Sequence, residues 1–136
     1  MIHQVTILGS TGSIGQSTLE VVSGRPEYAV FALSGHKNIK MLSAQCQNHR
    51  PQYAVLADPD DAAFLAREFV ELGLSTVVLC GQQALQQIAA DPAVDIVMAA
   101  IVGGAGLRPT FAAVQAGKKV LLANKEALGL AGQLFM

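Results

Sequence analysis

The stretch ILGSTGSIGQSTLEVV, residues 7–22, joins two different sequence patterns. It begins in an apolar, β-branched run of the kind found in strands, and it ends in residues spaced as in a helix. Between the two stands a short segment of Gly, Ser, Thr and one Ile, with glycines at positions 9, 12 and 15. A strand that turns into a helix through such a segment is typical of the first βα unit of a parallel α/β sheet.

Strand-like and helix-like runs alternate along the rest of the chain. The sequence predicts strands at residues 3–9, 28–34, 53–57, 76–80, 94–100 and 119–123. It predicts helices at residues 14–23, 38–49, 58–72, 82–90 and 110–116, and a last helix from residue 125. Six short strands separated by helices imply one α/β domain with a doubly wound parallel sheet of the Rossmann type. We expect the apolar runs VVLC, IVMAA and VLLA to be buried on both faces of that sheet.

Several of the predicted helices carry end signals. Asn38 is placed to cap the second helix, and Arg50 with Pro51 ends it. Asp58 and Pro59 open the third helix, where proline is tolerated in the first turn. Gly73 then stops that helix. These signals support the division of the chain into alternating elements.

The composition excludes several classes of protein. With 136 residues, 51% of them hydrophobic, the chain has enough apolar material for one core. A net charge of −1 does not favour binding to nucleic acid or to an anionic membrane, and no apolar run approaches the ~20 residues of a spanning helix. The opening MIHQVTILG lacks the basic region of a signal peptide. We therefore expect a cytoplasmic protein in which Cys46 and Cys80 are ordinary buried or half-buried thiols.

The glycine-rich segment has the features of a phosphate-binding loop. A helix N-terminus offers unpaired N–H groups and a partial positive charge, which favour an anion such as a pyrophosphate. We expect Gly9 to allow a sharp exit from the strand, Gly12 to let a phosphate approach the backbone, and Gly15 to allow close packing of the helix. The nearby hydroxyls, which would add donors, belong to Ser10, Thr11 and Ser13. The spacing GxxGxxG is less specific than GxGxxG, and a glycine-rich turn that only packs is the alternative.

The end of the second predicted strand indicates which dinucleotide would fit. Cofactor sites for NAD usually place an acidic residue there to bind the ribose 2′-hydroxyl, but no acid occurs between Val30 and Asp58. The sequence instead offers Ser34, His36, Lys37 and Asn38. Lys37 would attract a 2′-phosphate, so NADP is favoured over NAD. His36 would either stack on an adenine ring or point into solvent, and the sequence leaves both open.

Two further segments follow the ends of predicted strands. In LLANKEALG, residues 121–129, the cluster of Asn124, Lys125 and Glu126 would face a cofactor and an anionic substrate, or would simply cap the next helix. In AIVGGAGLRP, residues 100–109, the three glycines would let the backbone approach the cofactor, or would relieve crowding between loops. Arg108 is expected at the surface.

Taken in order, the segments TILGSTGSIGQSTLEVV, HKN, VMAAIVGGAGL and LLANKEALG closely resemble the 1-deoxy-D-xylulose-5-phosphate reductoisomerases. The resemblance covers essentially the whole chain and implies that it is the NADPH-binding domain at the N-terminus of that enzyme. It implies an oxidoreductase and isomerase of non-mevalonate isoprenoid biosynthesis. The family rearranges 1-deoxy-D-xylulose 5-phosphate and reduces the product to 2-C-methyl-D-erythritol 4-phosphate, with NADPH and a divalent metal, Mg or Mn.

The resemblance also implies roles for individual residues. It places the cofactor pyrophosphate near residues 11–14, its 2′-phosphate near Lys37 and Asn38, and the substrate near Lys125. The candidate cofactor-binding residues are Gly9, Thr11, Gly12, Ser13, Ile14, Gly15, Gly35, His36, Lys37, Asn38, Asn124 and Glu126. Family members commonly read AGKN where this chain reads GHKN, so His36 stands at the position of a glycine. The role of His36 therefore stays open.

The resemblance implies that much of the enzyme lies outside these 136 residues. The metal-binding carboxylates, the lid over the substrate and much of a homodimer interface come after LANKE in the family, so we assign no catalytic or metal-binding residue here. The last residues, 132–136, break off where structure should continue, which predicts a fragment with little activity alone. The alternatives are a non-enzymatic NADP-sensing module and another NADP-linked enzyme, such as one resembling aspartate-semialdehyde dehydrogenase. The latter needs a catalytic cysteine, and neither Cys46 nor Cys80 stands in a nucleophile-like turn.

Overall fold

A computed structural model describes residues 1–101 and 104–122, which form six strands and five α-helices. The strands are β1 His3–Leu8, β2 Tyr28–Ser34, β3 Tyr53–Leu56, β4 Val77–Cys80, β5 Ile96–Ala99 and β6 Lys119–Leu122. The helices are α1 Ser13–Ser23, α2 Ile39–His49, α3 Pro59–Leu72, α4 Gly81–Ala90 and α5 Leu107–Gln115. A single 3₁₀ turn, Gly104–Gly106, precedes α5. The predicted last helix, from residue 125, lies outside the described residues.

The six strands form one parallel sheet in the order β4-β3-β2-β1-β5-β6. The chain winds outward from β1 to β4 and then returns to place β5 on the other side of β1. The strand order therefore reverses between β1 and β5. In sheets of this kind, ligands bind beyond the carboxyl ends of the strands at that point. The predicted fold class, a doubly wound parallel sheet of the Rossmann type, is confirmed.

Helices cover both faces of the sheet, and each face has its own apolar cluster. On one face α1, α2 and α3 pack against the strands, with Leu19, Leu42 and Phe69 buried among them. On the other face α4 and α5 do so, with Ile88 and Ala113 fully buried. Among the described helices, none has the length and apolar character needed to cross a membrane. The sheet thus sits in the middle layer of three.

The end signals predicted at Asn38, Asp58 and Gly73 are confirmed. The Asn38 carboxamide accepts a hydrogen bond from Met41 N at the start of α2. The Asp58 carboxylate accepts from Asp60 N at 2.7 Å at the start of α3. Gly73 ends α3 in the left-handed conformation, with a φ of 70°. Local capping chemistry therefore sets these boundaries as the sequence indicates.

The structure corrects the expectation that three apolar runs are buried on both faces. The run in β5 is buried along its whole length, but β4 and β6 stand at the two ends of the strand order and are partly exposed. Apolar composition does not distinguish a central strand from a short edge strand. For the same reason Cys80, at the end of β4, is exposed, whereas Cys46 is buried as expected.

The last described helix also differs from its prediction. Helix α5 begins at Leu107, three residues before the predicted start at Thr110. Pro109 lies in its first turn, where the missing N–H has no partner to lose. A proline near a helix boundary is compatible with a helix that starts just before it, as here, and with one that starts just after it, as predicted.

Candidate cofactor-binding site

The glycine-rich segment crosses the carboxyl ends of β1 and β5. Gly9 follows β1 directly and has a φ of +84°, a conformation that L side chains rarely adopt. A Cβ atom on Gly9 would lie 2.7 Å from the carbonyl oxygen of Ala100, which follows β5. Glycine is therefore required here both by the backbone conformation and by the neighbouring strand end.

Gly15 is required by close packing. It is the third residue of α1, and a Cβ atom there would lie 2.2 Å from Gly9 O and 2.6 Å from the Cα of Ser10. Both contacts are to backbone atoms, which have no rotamer to change. The first turn of α1 therefore sits directly on the loop that precedes it, as the glycine spacing predicts.

Gly12 differs, because the protein itself does not require a glycine at this position. Its φ of −75° suits any residue, and a Cβ would make only an ordinary contact of 3.7 Å with Gly9 O. Gly12 is exposed, caps α1 and lines a cavity. An added methyl group would instead occupy space above the loop that a ligand could use.

The backbone of this loop presents a set of unused donors. In the described part of the chain, no hydrogen bond is formed by the N–H groups of Thr11, Ser13, Ile14 or Gly15. The N–H of Gly12 makes only a long bond of 3.3 Å to Gly9 O. These unpaired N–H groups lie at the start of a helix, beside a glycine that packing does not require. Such an arrangement is suited to binding an anion.

The expectation that the hydroxyls of Ser10, Thr11 and Ser13 all add donors to that site is wrong for Ser10. The Ser10 side chain is completely buried and points to Gln45 on α2, 2.7 Å away. The Ser34 hydroxyl, at the end of β2, accepts a hydrogen bond from Gly9 N at 2.7 Å. Both hydroxyls form hydrogen bonds within the protein at the base of the loop. The Ser13 side chain stays exposed on the outer side, and Thr11 is half-buried.

A cavity of about 460 Å³ opens at this loop and runs along the carboxyl edge of the sheet. Its lining residues follow or end the five strands β1 to β5. They are Gly9, Thr11, Gly12, Ser34, Gly35, His36, Val55, Leu56, Ala57, Gly81, Gln82, Leu85, Ala100, Ile101 and Ala105. No carboxylate is among these described residues. The site is therefore apolar along one side and rich in free amides on the other.

Half of the predicted cofactor-binding residues within the described ranges line this cavity. Those that do are Gly9, Thr11, Gly12, Gly35 and His36. Those that do not are Ser13, Ile14, Gly15, Lys37 and Asn38. The first three of these belong to the start of α1 beside the cavity, and the last two follow His36 at its rim. The predicted residues Asn124, Lys125 and Glu126 lie outside the described residues.

The turn after β2 has an unusual backbone. His36 has a φ of +45°, in the left-handed region that favours glycine. His36, Lys37 and Asn38 are all exposed, and the Asn38 oxygen is used to cap α2. The positive φ explains physically why a glycine would suit position 36. Lys37 is an exposed cation that directly follows His36, which lines the cavity.

Sequence reasoning missed the far side of the cavity. Ala57 follows β3, and Gly81 and Leu85 belong to the start of α4 after β4. Gln82 donates from Nε2 to Ala105 O at 2.9 Å, which joins the start of α4 to the 3₁₀ turn. These residues carry no motif. Their position after consecutive parallel strands was the one available signal.

The second glycine-rich stretch serves its own packing, at least at Gly106. A Cβ atom there would lie 2.9 Å from the carbonyl oxygen of Ile101. Gly104 has open space around it, and Gly103 lies outside the described residues. Relief of crowding between loops, one of the two readings of this stretch, holds for Gly106. Arg108 is exposed, as expected.

The comparison with known proteins bears directly on this site. The family model of 1-deoxy-D-xylulose 5-phosphate reductoisomerase matches residues 5–132. The chain belongs to the 1-deoxy-D-xylulose 5-phosphate reductoisomerase family. Reductoisomerases from Glaesserella parasuis serovar 5 (strain SH0165) and Pseudomonas syringae pv. syringae (strain B728a) are 55% and 59% identical to it. The alignments cover 99% and 98% of this chain but 34% of each relative, so the chain spans about a third of their length.

Solved reductoisomerases share the fold of the chain. The enzyme from Zymomonas mobilis in complex with NADPH aligns with a TM-score of 0.84 and 41% identity, over 99% of this chain and 35% of that one. A reductoisomerase in complex with NADPH, fosmidomycin and magnesium aligns with a TM-score of 0.86 and 39% identity, over 98% of this chain and 35% of that one. The resemblance carried by the glycine loop and LANKE is confirmed. The alternative resembling aspartate-semialdehyde dehydrogenase is left without support.

Proposed function

We propose that residues 1–136 form the NADPH-binding domain of a 1-deoxy-D-xylulose 5-phosphate reductoisomerase. The observation that carries the proposal is the row of unused N–H groups in the glycine loop, beside a glycine that packing does not require. Together they suit a bridging diphosphate laid against bare backbone. The adjoining cavity along the carboxyl edge of β1 to β5 suits the adenosine half of a dinucleotide. Related enzymes were solved in complex with NADPH.

Each part of the site has a separate task in this proposal. The amides of residues 11–15 hold the pyrophosphate, and the apolar side of the cavity, with Leu85 and Ile101, takes the adenine. Lys37 and Asn38, which directly follow His36, bind the 2′-phosphate, and no carboxylate is among the described residues that line the cavity. NADPH supplies hydride when bound. The protein groups only bind and orient it, so the chemistry belongs to the cofactor.

The activity of the whole protein is part of the proposal. We expect the complete enzyme to rearrange 1-deoxy-D-xylulose 5-phosphate and reduce it to 2-C-methyl-D-erythritol 4-phosphate in isoprenoid biosynthesis. Asn124 and Glu126 would contact the cofactor and Lys125 the phosphosugar. Among the described residues no cluster of three or more His, Cys, Asp or Glu could hold a metal. Because the chain spans about a third of its relatives' length, we assign the divalent metal, Mg or Mn, and the catalytic groups to the remainder of a cytoplasmic homodimer. The 136-residue chain alone should then show little or no turnover.

The preference for NADPH tests the proposal most directly. The affinity of the 136-residue chain for NADPH and for NADH is measured by isothermal titration calorimetry. Lys37→Glu should weaken NADPH at least tenfold, because it places a like charge beside the 2′-phosphate, and should leave NADH unchanged. Lys119→Glu makes the same charge change at the start of β6, on the opposite edge of the sheet, and serves as the control.

Two results would contradict the assignment. Equal affinity of the unaltered chain for NADPH and NADH would show that Lys37 does not recognise the 2′-phosphate. An equal loss of NADPH affinity in both variants would show that overall charge, and not a contact at the rim, decides the preference.

A further inference from the structure

We propose that Gln45 is a positioning residue that turns the Thr11 N–H toward the cofactor pyrophosphate. The proposal rests on the proposed function, and it concerns a residue on a different helix from the loop. Gln45 lies in the middle of α2 and is 9% exposed. Thirty-five residues separate it from Ser10, so its link to the loop is a product of the fold.

Gln45 forms two hydrogen bonds with Ser10. Its Nε2 donates to the Ser10 carbonyl oxygen at 2.9 Å, and its Oε1 accepts from the Ser10 hydroxyl at 2.7 Å. A carbonyl oxygen can only accept, so the amide nitrogen must face it, and this fixes the orientation of the Gln45 carboxamide. Below the same loop, Ser34 O accepts from Ser10 N at 2.8 Å. The peptide groups on both sides of Ser10 are therefore held from beneath.

The consequence for Thr11 follows from the geometry of a trans peptide. The described chain has no cis peptide bond, so the C=O and N–H of each peptide group point in opposite directions. The Ser10 carbonyl points inward to Gln45. The N–H of Thr11, which belongs to the same peptide group, must then point away from α2. Thr11 lines the cavity, and its N–H has no partner among the described residues. Gln45 thus sets the direction of a donor in the anion site.

Burying a polar side chain in this place lowers the stability of the fold relative to burying an apolar one. Ser10 is fully buried and Ser34 is 3% exposed, so Gln45 completes a buried polar cluster under the loop. Such groups are tolerated when all their hydrogen bonds are made, and every buried side-chain N or O atom in the described residues has a partner. The cluster holds one conformation of the loop, which is what a preorganised binding site needs.

The test compares Gln45→Met with Gln47→Met. Methionine matches glutamine in length but makes neither hydrogen bond to Ser10. Gln47 is exposed on the same helix, so its replacement makes the same chemical change away from the loop. Gln45→Met should weaken NADPH about tenfold, because one charge-assisted hydrogen bond is lost. Adenosine 2′-phosphate, which has no pyrophosphate, should bind within twofold of its original affinity. Gln47→Met should leave both ligands unchanged.

A second measurement reports on the N–H without any ligand. Residual dipolar couplings, measured on nitrogen-15-labelled chain in two alignment media, report the orientation of the Thr11 N–H bond axis relative to the N–H bonds of β1. It should agree with the structure in the unaltered chain and depart from it in Gln45→Met. An unaltered chain whose Thr11 couplings disagree with the orientation of that N–H bond axis in the structure overturns the inference, whether or not any variant folds.

The binding outcomes separate the two proposals. If Gln45→Met weakens both ligands equally, its role is structural and the inference is wrong. The inference is also wrong if neither affinity nor coupling changes. If the unaltered chain fails to bind NADPH, the proposed function is refuted, and the coupling still decides what Gln45 does to Thr11.

Discussion

Replacing Gly15 with alanine should destabilise the chain, although alanine is the better helix former. A Cβ atom at position 15 would lie 2.2 Å from Gly9 O, and ordinary contact begins at 3.4 Å. The two must therefore separate by 3.4 − 2.2 = 1.2 Å. The atoms in the way are backbone atoms of residues 9 and 10, which β1 and the Ser34 carbonyl hold in place. The clash cannot be relieved by a side-chain rotation.

The magnitude follows from two opposing effects. Overpacking of a well-packed site costs about 1–3 kcal/mol, and a contact with fixed backbone belongs at the upper end. Alanine in place of glycine within a helix returns about 1 kcal/mol. The free energy of unfolding of Gly15→Ala should therefore fall by about 2 kcal/mol or more. Urea denaturation followed by far-ultraviolet circular dichroism measures this difference.

Two other glycines provide controls for this substitution. Gly24 ends the same helix, and a Cβ there would meet only ordinary contacts of 3.7 and 3.9 Å, so Gly24→Ala should change stability by less than about 0.5 kcal/mol. Gly12→Ala should cost at most about 1 kcal/mol in stability, because alanine is a poor N-cap, but should weaken NADPH at least tenfold. If Gly15→Ala is as stable as the unaltered chain, the close approach of α1 to the loop is not what requires glycine.

Four further predictions concern positions outside the loop. His36→Gly and Arg50→Gly should each raise the free energy of unfolding by about 1 kcal/mol in urea denaturation, because φ values of 45° and 48° strain residues with a Cβ; no gain at either would refute this. Asp58→Ala should lower the free energy of unfolding by about 1 kcal/mol, because the cap on α3 is lost. Burial raises the pKa of the Cys46 thiol from 9.0 to about 12. Stability from the neutral thiol should therefore be complete below pH 9 and decline as the pH rises toward 12, whereas Cys46→Ala should flatten that decline. In the folded chain iodoacetamide should label the exposed Cys80 and spare Cys46.

The sequence predicted most of the fold because the relevant signals are local. Each strand of β1 to β6 lies within its predicted range, and the caps at Asn38, Asp58 and Gly73 act where expected. The misplaced boundary, at the start of α5, arose because proline is compatible with either a first turn or a preceding loop. The exposure of β4 and β6 was missed, since it depends on strand order, which no single segment encodes.

The candidate site was predictable in part, for a related physical reason. The loop that follows β1 contains its own donors and glycines, so its residues could be named from one segment. Ala57, Gln82 and Leu85 reach the cavity because parallel pairing brings the ends of separate strands to one edge. Which hydroxyl points inward, as Ser10 does, depends on the path of the loop backbone. The sequence contains that information only through the whole fold.

The three glycines of the opening stretch divide into two kinds, and the division bears on function. Gly9 and Gly15 are required by the chain itself, because a Cβ at either would meet backbone at 2.7 Å or less. A glycine-rich turn that only packs would account for both of them. Gly12 has no such neighbour, so packing does not require its lack of a side chain. Serine, aspartate or asparagine would cap α1 better than glycine, and glycine increases the entropy of the unfolded chain. With no packing gain, a glycine at position 12 is best explained by something that approaches from outside. The unpaired N–H groups on either side of Gly12 favour an anion in that place.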